Sequence, residues 1–194
     1  MEDKRVTRTK SLLKHALIEL LSSQSFEQIS VKAICDKAEI SRITFYAHYS
    51  DKYDLAEDIF QEMITQGTEA YLRLEQKTNP ANDPILSYCN VLDCILSLYT
   101  AHFDFFRHTT PSTNPYLSSS FFNHVLDIVE HHAHKASSVL VPKYPVRAIT
   151  SFLCFGLGGF ISESHGSDSQ NRDDTKAILR GILGSDILTY RRLP

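Results

Sequence analysis

Apolar residues recur along this chain at spacings of three and four, the period of one face of a helix, and nowhere alternate in the manner of a strand. Leu12, Leu13, Ala16, Leu17, Leu20 and Leu21 form a first stripe, predicting a helix from Thr7 that ends at the polar run 22–25. Three segments follow, each opened by a serine suited to accept the unpaired N–H groups of a helix start. Ser30 precedes a helix to about Lys37 with Val31, Ile34, Cys35 and Ala38 inward. Glu39 and Ile40 form a turn. Ser41 precedes a helix from Arg42 to about Tyr49, and Ser50 a longer one from Asp51 to about Gln76. The first two of these are too short to be stable alone, so they must pack on the first helix.

Beyond residue 76 the breaks are set by proline and turn formers. The stretch 77–84 separates the long helix from a second, Pro84 to about Arg107. The stretch 109–115 separates that from a third, Tyr116 to about Val139. A fourth runs from Val146 to about His165, and a last one starts at Asp173 or Asp174. The expectation is an all-α protein: a three-helix head over residues 1–53 and a helical body over residues 54–194.

Composition alters this picture little. The chain is 42% hydrophobic and 22% charged, and no apolar run reaches the length of a membrane span. The charged start lacks the apolar core of a secretion signal, which points to a cytoplasmic protein without a membrane partner. Cys35, Cys89, Cys94 and Cys154 form no C-x-x-C pair and read as reduced, buried residues. The net charge of −3 is unevenly spread. Residues 1–53 hold nine Lys/Arg against seven Asp/Glu, and the remainder 11 against 16. A weakly basic head on an acidic body is what a DNA-contacting head would show.

Two short helices joined by a tight turn on a supporting helix match a helix-turn-helix, whose second helix enters the major groove. At about 100° per residue, Phe45 and Tyr49 share the core side of that helix. Arg42 sits in its first turn. Arg42 and Thr44 suit base edges, guanine and a thymine methyl respectively. Tyr46 and His48 lie where they reach DNA, and Lys32 and Lys52 fall in first turns where an ammonium grips a phosphate.

These residues carry a family resemblance. The block S-x-x-T-F-Y-x-H-Y-x-x-K-x-x-L, present as Ser41, Thr44, Phe45, Tyr46, His48, Tyr49, Lys52 and Leu55, resembles the DNA-binding domain of TetR-family transcriptional regulators, and the likeness extends over residues 7–60. It implies that Thr44, Tyr46, His48 and Lys52 contact DNA, with Lys32 and Arg42 beside them. Two departures stand out. The family commonly has Gly where Glu39 stands, so Glu39 is expected in a left-handed conformation, and often has Gly at the position of Ile43. The segment F-G-L-G-G-F-I-S-E, residues 155–163, resembles the branch of dihydroxyacetone-kinase-operon regulators.

For the body, the resemblance implies a homodimer through the last two helices, presenting two reading helices to a pseudo-palindromic operator in double-stranded DNA. Gly156, Gly158 and Gly159 leave a smooth patch, and Ile178, Leu179 and Ile182 an apolar one, both suited to such an interface. Tyr88, Tyr99, Phe103, Phe106, Tyr116, Phe121, Phe122, Phe152 and Phe155 are candidate lining of an effector pocket, though aromatics at helical spacing also build plain core. His124, His131 and His134 share one helix face, which admits a metal-responsive alternative beside a solvated polar face. No cofactor is implied. With no G-x-S-x-G, phosphate loop or H-E-x-x-H, an enzyme is not expected. The function read from the sequence is a dimeric repressor released by a small-molecule effector. The alternative is a non-sensing activator or co-regulator controlled by a partner protein.

Overall fold

The computed structural model describes residues 4–106, 113–136, 140–142, 144–145, 147–152, 155–156, 174, 177–178, 181–182 and 190–192. The chain is all-α in its architecture. Helices α1 (Lys4–Leu21), α2 (Val31–Ala38), α3 (Arg42–Tyr46), α4 (Lys52–Thr78), α5 (Pro84–Ala101), α6 (Phe103–Phe106) and α7 (Pro115–Ala136) follow in order, with a 3₁₀ turn at Phe26–Gln28. Residues 147–152 and 155–156, and positions 174, 177, 178, 181 and 182, are also helical. One feature departs from the expected absence of strands. Leu140–Pro142 (β1) pairs antiparallel with Tyr190–Arg192 (β2). Three-residue strands offer too few alternating positions to leave a period-two signal.

The chain divides into two compact units. One comprises residues 1–63 and 102–118, the other residues 64–101 and 119–194. The first unit therefore takes in more than residues 1–53. Within it, Phe60 on α4 meets Phe105 on α6 edge to face at 5.2 Å, and both are fully buried. The remainder of its core comes from the predicted stripes: Leu13, Leu17 and Leu21 of α1, Ile34 of α2 and Phe45 of α3 are at most 2% exposed.

Cap chemistry sets the local boundaries. Ser30 accepts the Ala33 N–H at 3.1 Å and Ser41 the Thr44 N–H at 3.1 Å, as the pattern required. At the third start the expectation needs correcting. Asp51, not Ser50, is the cap: its carboxylate accepts the N–H groups of Tyr53 (2.8 Å) and Asp54 (2.9 Å). Ser50 instead donates its N–H and hydroxyl to Asp54. The Asp51-x-x-Asp54 spacing, a carboxylate reaching back from the first turn, was the signal for it. The reader helix stops at Tyr46 rather than continuing to Tyr49, and His102 interrupts the predicted helix 84–107.

The turn between α2 and α3 is a left-handed cap. Glu39 stands at φ 56°, ψ 37°, and the Ile40 N–H returns to the Cys35 carbonyl at 3.0 Å. A side chain bearing Cβ is strained in this conformation, while glycine is not. Glu39→Gly is therefore expected to stabilise the protein by about 0.5–1 kcal/mol, the gain being reduced by glycine's larger unfolded-state freedom. A thermal unfolding scan should show a rise of about 2 °C.

In the second unit, a polar network fixes the turn between α4 and α5. Glu75 accepts hydrogen bonds from Asn79 (3.1 Å), Ser87 (2.9 Å) and Asn90 (2.6 Å), and Asn79 pairs with both backbone groups of Asp83. Burial, with Glu75 alongside, pushes the Tyr71 phenol up to about 12. Gly67 lets α4 and α5 approach: a Cβ there would lie 2.7 Å from Leu98 Cδ1. Cys35 and Cys89 are buried free thiols, and burial pushes the half-buried Cys94 thiol up to about 11. Cys154 lies outside the described residues.

Candidate nucleic-acid interface

The site is built on α3, and its geometry follows from which of five residues is pinned. Phe45 is fully buried and packs against Tyr46 (5.4 Å) and Tyr49 (5.8 Å). Tyr49 is 3% exposed, and its hydroxyl donates to Asp58 at 2.6 Å. Lys14 of α1 meets the same carboxylate at 3.2 Å. Burial alone would push the Asp58 carboxyl up, but the hydrogen bonds from Tyr49 and Lys14 outweigh it and hold the group below its ordinary range. The reader is thus fastened to α1 and α4 through its Phe45–Tyr49 side, as the periodicity required.

Pinning that side turns the opposite arc outward. Arg42, Ile43, Tyr46 and Ala47 are exposed, Ile43 to 86% and Tyr46 to 57%. Thr44 and His48 are half-buried. The Thr44 hydroxyl lies 2.9 Å from that of Ser41, so it is engaged in the cap of its own helix. Lys32 is exposed on α2, where its ammonium meets Asp36 at 2.6 Å. Such an exposed i,i+4 pair contributes little and exchanges readily for a phosphate.

Lys52 departs from the expected phosphate grip. Its ammonium donates to the carbonyls of Phe26 (2.8 Å), Glu27 (3.1 Å) and Ile29 (3.0 Å), and it lies 4.7 Å from the centre of the Phe26 ring. The three N–H bonds of an ammonium match three carbonyls at the end of the 3₁₀ turn, groups with few partners in the turn itself. Lys52 thus ties the start of α4 to the loop before α2. First-turn placement alone could not distinguish an outward lysine from one folded back on its own chain.

A second fastening joins α7 to the same loop. Asn114 is 3% exposed, caps α7 by accepting the Leu117 N–H, and donates to Glu27 at 2.9 Å. Tyr53 donates to the other oxygen of Glu27 at 3.2 Å and meets Tyr116 edge to face at 5.4 Å. Burial, then Glu27, pushes the Tyr53 phenol up. No sequence signal marked this contact, because 87 residues separate its partners.

The residues assigned to the body are distributed differently from the expected lining. Phe103, 38% exposed, and Phe106, buried, belong to the first unit. Tyr88 and Tyr99 are half-buried in the second unit, where Phe121 and Phe122 are buried. Phe152 and Phe155 are 63% and 49% exposed. Arg147, Ala148 and Gly156 nearby are exposed too. Ile178 is 52% exposed and Ile182 half-buried, while Gly158, Gly159 and Leu179 lie outside the described residues. The side chains of His131 and His134 are likewise outside them. His124 Nδ1 lies 2.8 Å from the Ser120 carbonyl, and no group of three or more His, Cys, Asp or Glu among the described residues is arranged to hold a metal. No described helix is long and apolar enough to cross a membrane.

Comparison with known proteins bears on the head and the fold separately. Residues 13–59 match the family described as bacterial regulatory proteins, tetR family. Over 51 residues the chain is 37% identical to YxbF of Bacillus subtilis (strain 168), an HTH-type transcriptional regulator; the match covers 26% of this chain and 13% of that protein. A TetR-family transcriptional regulator from Syntrophomonas wolfei str. Goettingen superposes with a TM-score of 0.75 at 11% identity, over 93% of this chain and 97% of that one. The fatty acid degradation regulator FadR from Bacillus halodurans superposes with a TM-score of 0.66 at 12% identity, again over 93% and 97%. At such identities these two structures speak for the fold alone. Most of residues 155–163, which resemble the dihydroxyacetone-kinase-operon branch, lie outside the described residues. The head thus matches the tetR family in sequence over residues 13–59, and the chain shares the fold of solved TetR-family regulators along nearly its whole length.

Proposed function

We propose that the protein is a dimeric repressor that reads a pseudo-palindromic operator with α3 and is released by a small-molecule effector. The observation that carries the reading is the outward arc of α3. A five-residue helix pinned by Phe45 presents Arg42 and Tyr46 to solvent. Arg42 in its first turn suits bidentate contact with guanine O6 and N7. Tyr46, His48 and Lys32, on or near the same surface, carry groups that suit the phosphate backbone. Lys52 acts behind this surface, holding the loop on which α2 rests.

A two-fold dimer through the last helices is supported by their outward composition. Phe152, Phe155 and Ile178 stand exposed, and among the described residues a Cβ added at Gly156 or Gly181 would meet nothing within 4 Å. Packing among the described residues therefore requires neither glycine, whereas close approach of a second copy would use both. Occupancy of an operator blocks it without any further surface, which is why repression is the proposed sign. Release needs a path to the head, and the Asn114–Glu27–Tyr53 contact ties the start of α7 to the loop before α2. An effector that displaces α7 would shift that loop and re-space the reading helices.

Selection of bound duplexes from a random-sequence library, followed by gel shift, tests this. Wild-type protein should enrich an inverted repeat and bind it as two chains per duplex. Arg42→Ala should lose ten- to a hundred-fold on the selected duplex, about 1–3 kcal/mol, and far less on unselected DNA. Tyr46→Phe should weaken both by a similar, smaller factor. Failure to enrich any sequence would overturn the reading.

A further inference from the structure

Among the described residues, Ile43 is the most exposed large apolar side chain, at 86%. Single exposed hydrophobics are ordinary on protein surfaces. This one is unusual in its place. It is β-branched, a poor choice for a solvent-facing helix position that no packing requires. It sits two residues before Phe45, about 200° around the helix from the buried anchor, at the middle of the outward arc. Its neighbours on that arc, Arg42 and Tyr46, are polar or amphipathic and exposed. A branched alkyl group gains nothing beside phosphates. In the major groove its one apolar complement is the C5-methyl group of a pyrimidine. Thr44, whose methyl could have served, is half-buried with its hydroxyl engaged by Ser41.

We propose that Ile43 is a specificity-determining residue that reads a pyrimidine C5-methyl group, that of thymine in unmodified DNA, beside the base pair met by Arg42. The inference rests on the reading of α3 as the operator-reading helix. The contact buries about one methyl on each side, worth three- to five-fold in affinity per half-site. Because Ile43 is almost wholly exposed, its truncation leaves the fold intact.

The experiment starts from the duplex selected above. Each thymine is replaced in turn by deoxyuridine, which removes only the methyl group. Wild-type protein should lose about three- to five-fold at one thymine per half-site. Ile43→Ala should bind the thymine and deoxyuridine duplexes equally, while Ile43→Val keeps most of the discrimination. An unchanged thermal midpoint for Ile43→Ala separates the effect from misfolding. If instead the methyl read is that of 5-methylcytosine, no thymine is sensitive. Methylating one cytosine per half-site then tightens wild-type binding three- to five-fold and leaves Ile43→Ala unmoved, which also supports the assignment. If the protein enriches an operator, yet wild type and Ile43→Ala respond alike to every methyl removed or added, the role of Ile43 is wrong and the operator reading stands. If no sequence is enriched, the operator reading itself falls, and the role of Ile43 falls with it.

Discussion

Lys52→Met should lower the thermal midpoint by about 5–10 °C and leave the salt dependence of residual DNA binding unchanged. Methionine keeps much of the apolar stem and removes the ammonium. Three carbonyls at the end of the 3₁₀ turn, those of Phe26, Glu27 and Ile29, then lose a charged donor within 3.1 Å. Hydrogen bonds to charged groups contribute more than neutral ones, and the half-buried setting limits replacement by water. A loss of about 2–3 kcal/mol follows, which for a chain of this size gives the stated shift. DNA affinity should fall too, because the loop that positions α2 and α3 loosens. Its dependence on salt separates the two roles available to this lysine. A phosphate contact would reduce the slope of log K against log salt by about one when removed, whereas an internal staple leaves it alone. A reduced slope with an unchanged midpoint would return Lys52 to the phosphate grip that its position in the chain implied.

Phe45→Ala should abolish operator binding in a gel shift while the amides of α5 keep their protection from hydrogen exchange. Phe45 is fully buried and anchors a helix of five residues. A helix that short has no stability of its own, so it exists by this packing. Truncation of a buried Phe costs about 3–5 kcal/mol, because the surroundings close only part of the cavity. The expected consequence is local: residues 42–49 exchange rapidly, and Arg42, Ile43 and Tyr46 lose the common orientation on which the interface depends. Phe45→Leu nearly conserves volume and should restore most of the binding. Operator affinity within two-fold of wild type for Phe45→Ala would show that α3 is not held by this side chain.

What could be read from the chain and what could not separate by range. Ser30 and Ser41 were legible as caps because a cap acts within three residues, and the structure places both as expected. The inward positions of α3 were legible because helical period alone puts Phe45 and Tyr49 on one side. Glu39 in the left-handed cap was legible only through the resemblance, which supplied a glycine at that turn. Ser50 resembles a cap in the sequence because it and its neighbour Asp51 are both cap-type residues placed just before α4. Local geometry, not residue type, settles which one accepts.

The body was legible as helices and far less as a site. Phe152 and Phe155 have the composition of core and stand on the surface. An aromatic stripe records that a face is apolar, not what covers it.

By itself, then, the sequence determined the all-α class, the caps at Ser30 and Ser41, the register of the reading helix and the family that the head resembles. These follow from the period of the helix and from chemistry within one or two turns. Only the tertiary structure decided which way long polar side chains turn. It folded Lys52 onto carbonyls 23 to 26 residues away, brought Asn114 to Glu27, and left Ile43 in the open. The physical reason is that a flexible side chain takes whichever partner the distant backbone brings within about 3 Å, and no local pattern encodes that meeting.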